Sequence, residues 1–189
     1  MLDTMTLTSL FHQLVRAAKD SQGIATSETT EFYLVQLLEG VARPRQADLL
    51  APPLALDYLE SFHLPASQRF GKLRRVGDTA LLITGLFVDS LERSAVGPAY
   101  FVSLGRSAYA WLSSETDSSD LGASFEELSG RFPEFVRLLG EIGDQEIFRR
   151  DQDTIRLYKR WLQTRGEREH ALLVRRGVIP VAPQNSRHH

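Results

Sequence analysis

The chain has 189 residues, 42% of them hydrophobic and 24% charged, with a net charge of −2, a balance ordinary for a globular protein and long enough for one good core. That near-neutral charge gives no global pull toward nucleic acid or an anionic membrane. The absence of cysteine excludes disulfides, thiol catalysis and thiolate metal sites.

The N-terminal segment has an acid at position 3 and no basic stretch before an apolar run. No signal peptide is expected, and a cytoplasmic setting is the default. Thr8 or Ser9 then caps a first helix with Leu10, Phe11, Leu14, Val15 and Ala18 on its buried side. Ser27 caps a second, with Glu28 and Glu31 in the first turn, where the helix dipole favours acids, and Leu34, Leu37, Leu38 and Val41 as its apolar face. A short helix is expected over residues 46–50. After Pro53, which suits a first helical position, Leu56, Leu59 and Phe62 are expected to face inward before Pro65.

The most apolar element follows. Leu73, Val76, Ala80, Ile83, Phe87 and Leu91 recur at steps of three and four, and Leu81, Leu82, Leu86 and Val88 widen the stripe. This predicts a buried central helix over about residues 70–93, too short in its apolar run for a membrane span. A polar stripe runs down it through Arg74, Asp78, Asp89 and Arg93, with Gly77 and Gly85 as notches. These charges either pair at the helix ends near solvent or line a polar cavity or interface, where they need partners. Basic residues at the start of this helix oppose its dipole. Either the helix begins nearer Ala66, or the cluster meets acids.

Gly97-Pro98 opens a further helix to about Ser113, followed by a small, polar loop at 113–122. Ser124 and Glu127 read as a capping box. Gly130 and Pro133 imply a break before Phe135, Val136, Leu139 and Ile142. Helices from about Asp151 and from Glu167 to Arg176 complete the pattern. No strand is evident. The fold class is all-α: one domain, residues 1–177, of about seven to nine mostly short helices around the central one, and a polar tail, 178–189.

No catalytic residue or cofactor is indicated, since nucleophile elbows and phosphate-binding loops are absent from the sequence. The metal-like signal is a repeated Glu-x-x-His, Glu60 with His63 and Glu167 with His170. Residues i and i+3 share a helix face. Two such pairs with two single glutamates, Glu31 or Glu39 and Glu134 or Glu141, match the di-iron carboxylate pattern of helical bundles. Phe87, Phe101, Tyr109 and Trp111 could line an apolar ligand pocket beside Gly85 and Gly105. Arg156, Lys159, Arg160 and Arg165, interleaved with Tyr158 and Trp161, form a basic patch of the kind that holds single-stranded nucleic acid, although neighbouring acids dilute it. The leading expectation is a non-enzymatic helical module that binds a protein partner or itself. The alternatives are a metal-dependent protein using the two Glu-x-x-His pairs and a binder of an apolar small molecule. Nucleic acid and membrane are not expected partners.

Overall fold

A computed structural model describes residues 7–42, 54–86, 96–116, 119–144 and 164–175, together with positions 88, 91, 157, 160 and 161. Every regular element among them is helical: α1 (Leu7–Gln22), α2 (Glu28–Ala42), α3 (Leu54–Ser61), α4 (Ala66–Leu86), α5 (Pro98–Glu115), α6 (Asp120–Gly130), α7 (Phe132–Asp144) and α8 (Glu167–Arg175). The all-α expectation therefore holds. None of these helices is long and apolar enough to cross a membrane. The expected helix at 46–50 and the tail at 178–189 lie outside the described residues.

α4 is the centre of the packing. It lies against α5, α7 and α3, while α2 packs on α1 and α6. Its Leu73, Val76, Ala80, Leu81, Leu82 and Leu86 join buried residues of α1, α2, α5, α6 and α7 in one core, while Ile83 packs with Leu54 and Leu91 in a smaller cluster. α4 begins at Ala66, four residues earlier than the expected start, and its basic cluster also meets acids: Lys72 Nζ lies 3.2 Å from Asp57 and 2.7 Å from Glu60 of α3. Arg69 turns back onto the end of α3 and donates to the carbonyls of Ser61 at 3.3 Å and Leu64 at 3.0 Å. A cation there complements the exposed carbonyls of a helix C-terminus.

Caps and breaks follow local chemistry. Ser27 Oγ accepts from the Thr30 amide at 3.1 Å, as an N-cap should. α6 gives way to α7 at Arg131, between Gly130 and Pro133. Arg131 secures that junction by donating to Glu127, Glu134 and the Ala25 carbonyl.

Several expectations are corrected. α1 already includes Leu7, so Thr8 and Ser9 lie inside the helix and do not cap it, and α4 ends at Leu86, short of the expected 93. α6 starts at Asp120 rather than at Ser124, because Ser119 is the cap, accepting from the Gly122 amide at 3.1 Å. Ser124 is consequently inside the helix, donating to the Asp120 carbonyl, and Glu127 binds Arg131 instead of closing a capping box. The face of α3 is also rotated from the expected one. Leu54 and Ser61 are buried, whereas Leu56 and Leu59 are 54% and 59% exposed. Phe62 is held at the surface by edge-on contacts with Tyr58 and Trp111.

Candidate functional site

Asp78 sits halfway along α4, on the side turned toward α2 and α5. Its Oδ1 accepts a hydrogen bond from the Tyr109 hydroxyl of α5 at 2.8 Å and another, short one from the Tyr33 hydroxyl of α2. Arg74, one turn earlier, donates from Nε to the Tyr33 oxygen at 3.2 Å and lies 3.7 Å from Asp78 Oδ2. Its guanidinium also rests over the Tyr33 ring, 5.0 Å from the centroid. One carboxylate thus ties three helices, and the Tyr33 hydroxyl both accepts and donates within the network.

The surrounding packing makes this arrangement rigid. Phe125 of α6 stacks on Tyr109 at 5.8 Å and meets Tyr33 edge-on at 5.6 Å. Gly77 supplies the space for the Tyr109 ring: a Cβ there would come within 2.8 Å of it. Burial raises the Asp78 carboxyl above its ordinary 3.8, and the two hydroxyls and Arg74 only partly offset that. Both tyrosines are pushed well above 10 by burial and by the adjacent carboxylate. They remain protonated donors throughout the physiological range.

Above this network a cleft of about 290 Å³ opens between α2 and α4. Tyr33, Gln36, Leu37 and Gly40 line it from α2, and Gly71, Arg74, Arg75, Asp78 and Leu82 line it from α4. Its volume is at the lower end of small-molecule pockets, which run from about 300 to 1,000 Å³. The two guanidiniums outnumber the one carboxylate, so the lining carries a net positive charge.

The structure treats the other expected sites differently. On the polar stripe, Arg74 and Asp78 meet in the cleft, while Asp89 and Arg93 lie outside the described residues. The Glu-x-x-His pairs do not build a centre. Glu60 binds Lys72, and His63, Glu167 and His170 are exposed. Glu31, Glu39, Glu134 and Glu141 each bond elsewhere, to Lys19, Thr8, Arg131 and Gln22 respectively. Among the described residues no three His, Cys, Asp or Glu side chains come together to hold a metal ion.

The apolar pocket expected beside Gly85 and Gly105 is filled by protein. A Cβ on Gly105 would meet the Phe132 ring at 2.5 Å, and one on Gly85 would meet Leu139 at the same distance. Tyr109 is fully buried there, Phe101 and Trp111 partly so, and Phe87 lies outside the described residues. Of the basic patch, Arg156 and Lys159 are likewise outside, and Arg160 and Arg165 are exposed. Arg165 covers the Trp161 ring at 4.6 Å, occupying the face on which a base would stack.

Tyr33 and Gln36 escaped the sequence reading. The signal for Tyr33 was its position on the leucine-rich face of α2, because a tyrosine buried among leucines needs a partner for its hydroxyl. Comparison with known proteins reveals no relationship: no protein-family model, curated protein or solved structure matches the chain.

Proposed function

We propose that this protein is a helical binding module that receives a small molecule in the cleft between α2 and α4. The observation that carries this reading is the cleft's construction: guanidinium, carboxylate and amide groups converge beside Leu37 and Leu82, over a hydrogen-bonded base. A few placed polar groups in a concave, partly apolar setting are the usual makings of a ligand site. Asp78 is an acceptor locked by two hydroxyls, a role that suits holding a ligand.

A plug tests the reading. A Cβ on Gly71 meets nothing within 4 Å, so Gly71→Trp fills the cleft without straining α4, and exchanging glycine for tryptophan favours the helix by only about 0.3–0.5 kcal/mol. In a fragment screen read by ¹H–¹⁵N NMR, fragments should shift the Gly40 and Gly71 amides of the wild type. Gly71→Trp should abolish that binding while keeping its melting temperature. Fragments that bind the plugged protein equally well sink the proposal.

A second reading, self-association, draws on α3. Its exposed Leu56 and Leu59, three residues apart, share one face of the helix, beside the ion cluster that Asp57 and Glu60 make with Lys72. An exposed apolar face of this kind can pack on its own copy across a twofold axis, and the occupant would be a second copy of the chain. Sedimentation velocity of the wild type and Leu59→Lys checks this. A monomer at all concentrations refutes it.

A further inference from the structure

We infer that the ligand of the α2–α4 cleft is a small organic anion whose carboxylate or phosphate group is received by Arg74 and Arg75, an inference that rests on the binding reading above. The first argument is the state of Arg74. Its Nε is committed to the Tyr33 hydroxyl, and its plane is set by the ring beneath. Among the described residues its Nη1 and Nη2 have no protein partner, and the side chain is 41% exposed. A guanidinium fixed at one edge and open at the other is prepared to take two oxygens of an anion, with little side-chain freedom left to lose.

The second argument is charge. Asp78 and Arg74 balance each other across 3.7 Å. That leaves Arg75, which is exposed and without a partner among the described residues, as surplus positive charge on the lining. A cleft with low-dielectric walls concentrates such a field.

The third argument concerns position. Along α4 the lining runs Gly71, Arg74 and Arg75, Asp78, Leu82, with roughly one turn, about 5 Å, between successive groups. Asp78 repels an anion placed deep beside it, so the anionic group belongs at the arginine end. The apolar part of the ligand then passes Asp78 toward Leu82, which faces the same cleft as Leu37 of α2. A hydroxyl or amide on the ligand opposite Asp78 would find an acceptor there. The expected ligand class is therefore a short amphipathic acid.

Matched probes test the inference: sodium hexanoate, hexylammonium chloride, hexanol and inorganic phosphate, titrated at fixed ionic strength and read at the Gly40 and Gly71 amides. Hexanoate should bind more tightly than hexylammonium or hexanol, and phosphate should shift the same amides. Arg75→Gln should weaken hexanoate about tenfold, the scale of one charge-assisted contact, and Arg75→Lys should restore part of it. Hexanoate without phosphate marks the anion as a carboxylate, and phosphate the tighter binder marks it as a phosphate ester. If hexylammonium or hexanol binds better than hexanoate, or if Arg75→Gln changes nothing, the anion inference falls. Should those same probes be excluded by Gly71→Trp, the cleft remains a binding site and only the ligand class is wrong. If none of the four probes binds, the anion inference falls, and the cleft reading stands or falls on the fragment screen with Gly71→Trp.

Discussion

Toward α1, helix α2 offers a carboxylate to cations; toward α4, it offers a phenol to a carboxylate. On the first flank Glu31 meets Lys19 at 2.5 Å, Arg16 at 3.3 Å and His12 at 3.8 Å. On the second, Tyr33 and its counterpart Tyr109 hydrogen-bond Asp78, with Arg74 at the edge. Both acids are largely withdrawn from water, with side chains 12% and 18% exposed. Burial pushes the Glu31 carboxyl up, but Lys19 and Arg16 together outweigh it and hold it below 4.5. At Asp78 burial wins. The first flank is a clamp that works by charge neutralisation. The second is a polar network in which a carboxylate is kept at a cost, and that cost is the stronger sign of a functional role.

The largest test removes the carboxylate. Asp78→Ala strands two buried phenol hydroxyls, each at a cost of about 1–3 kcal/mol, while the part-exposed Arg74 turns to water. Asp78→Asn keeps an oxygen for the tyrosines and should cost less than half as much. Urea denaturation of both variants provides the comparison. If alanine proves as mild as asparagine, the hydroxyls have found other partners and the network is not what joins α2, α4 and α5.

Smaller effects separate the two flanks by mechanism. Tyr109→Phe deletes one hydrogen bond to an ionised group and should cost about 1.5–3 kcal/mol, nearly independent of salt because the site is enclosed. Arg16→Met on the opposite flank, where the Arg16 side chain is 76% exposed, should cost about 1 kcal/mol or less, shrinking further as ionic strength rises toward about 1 M. Equal salt sensitivity in the two variants would erase the distinction drawn here.

How much of this was legible in the chain depends on how far apart the cooperating residues lie. The helices themselves are local matters: the stripe of Leu73, Val76, Ala80 and Ile83, the Ser27 cap and the break at Arg131 can each be read within a few residues. α3 was read on the wrong face because, over eight residues, Leu54, Tyr58 and Ser61 make as good a helical stripe as Leu56, Leu59 and Phe62, and only packing against α4 chooses between them. For α6 the spacing of Ser124 and Glu127 imitates a capping box, whereas the cap is Ser119, inside the stretch that reads as a polar loop. The candidate site was half visible. Asp78 stood out as an acid on an apolar helix, but its partners lie 45 residues before it and 31 after it. Nothing in a single sequence pairs Tyr33 with Tyr109. Gly77 was visible as a notch, yet what occupies the notch, the Tyr109 ring, is a tertiary fact.

The smallest effect, and the sharpest in sign, is the pH dependence. Glu31 has a folded pKa below its unfolded value, so its favourable contribution is present above the ordinary 4.5 and is lost as pH falls through the lowered pKa. Asp78 has a folded pKa above its ordinary 3.8. Protonating it relieves the burial of charge, so its contribution grows as pH falls through the raised pKa and is complete below 3.8. Measured as wild type minus variant, the stability difference should therefore fall on acidification for Glu31→Gln and rise for Asp78→Asn, because neither amide titrates. Urea denaturation repeated from pH 7 down to the acid limit of folding reads both slopes. Two slopes of the same sign would mean that Arg74 and the tyrosine hydroxyls stabilise the Asp78 carboxylate fully, and the two flanks of α2 would then be variants of one design.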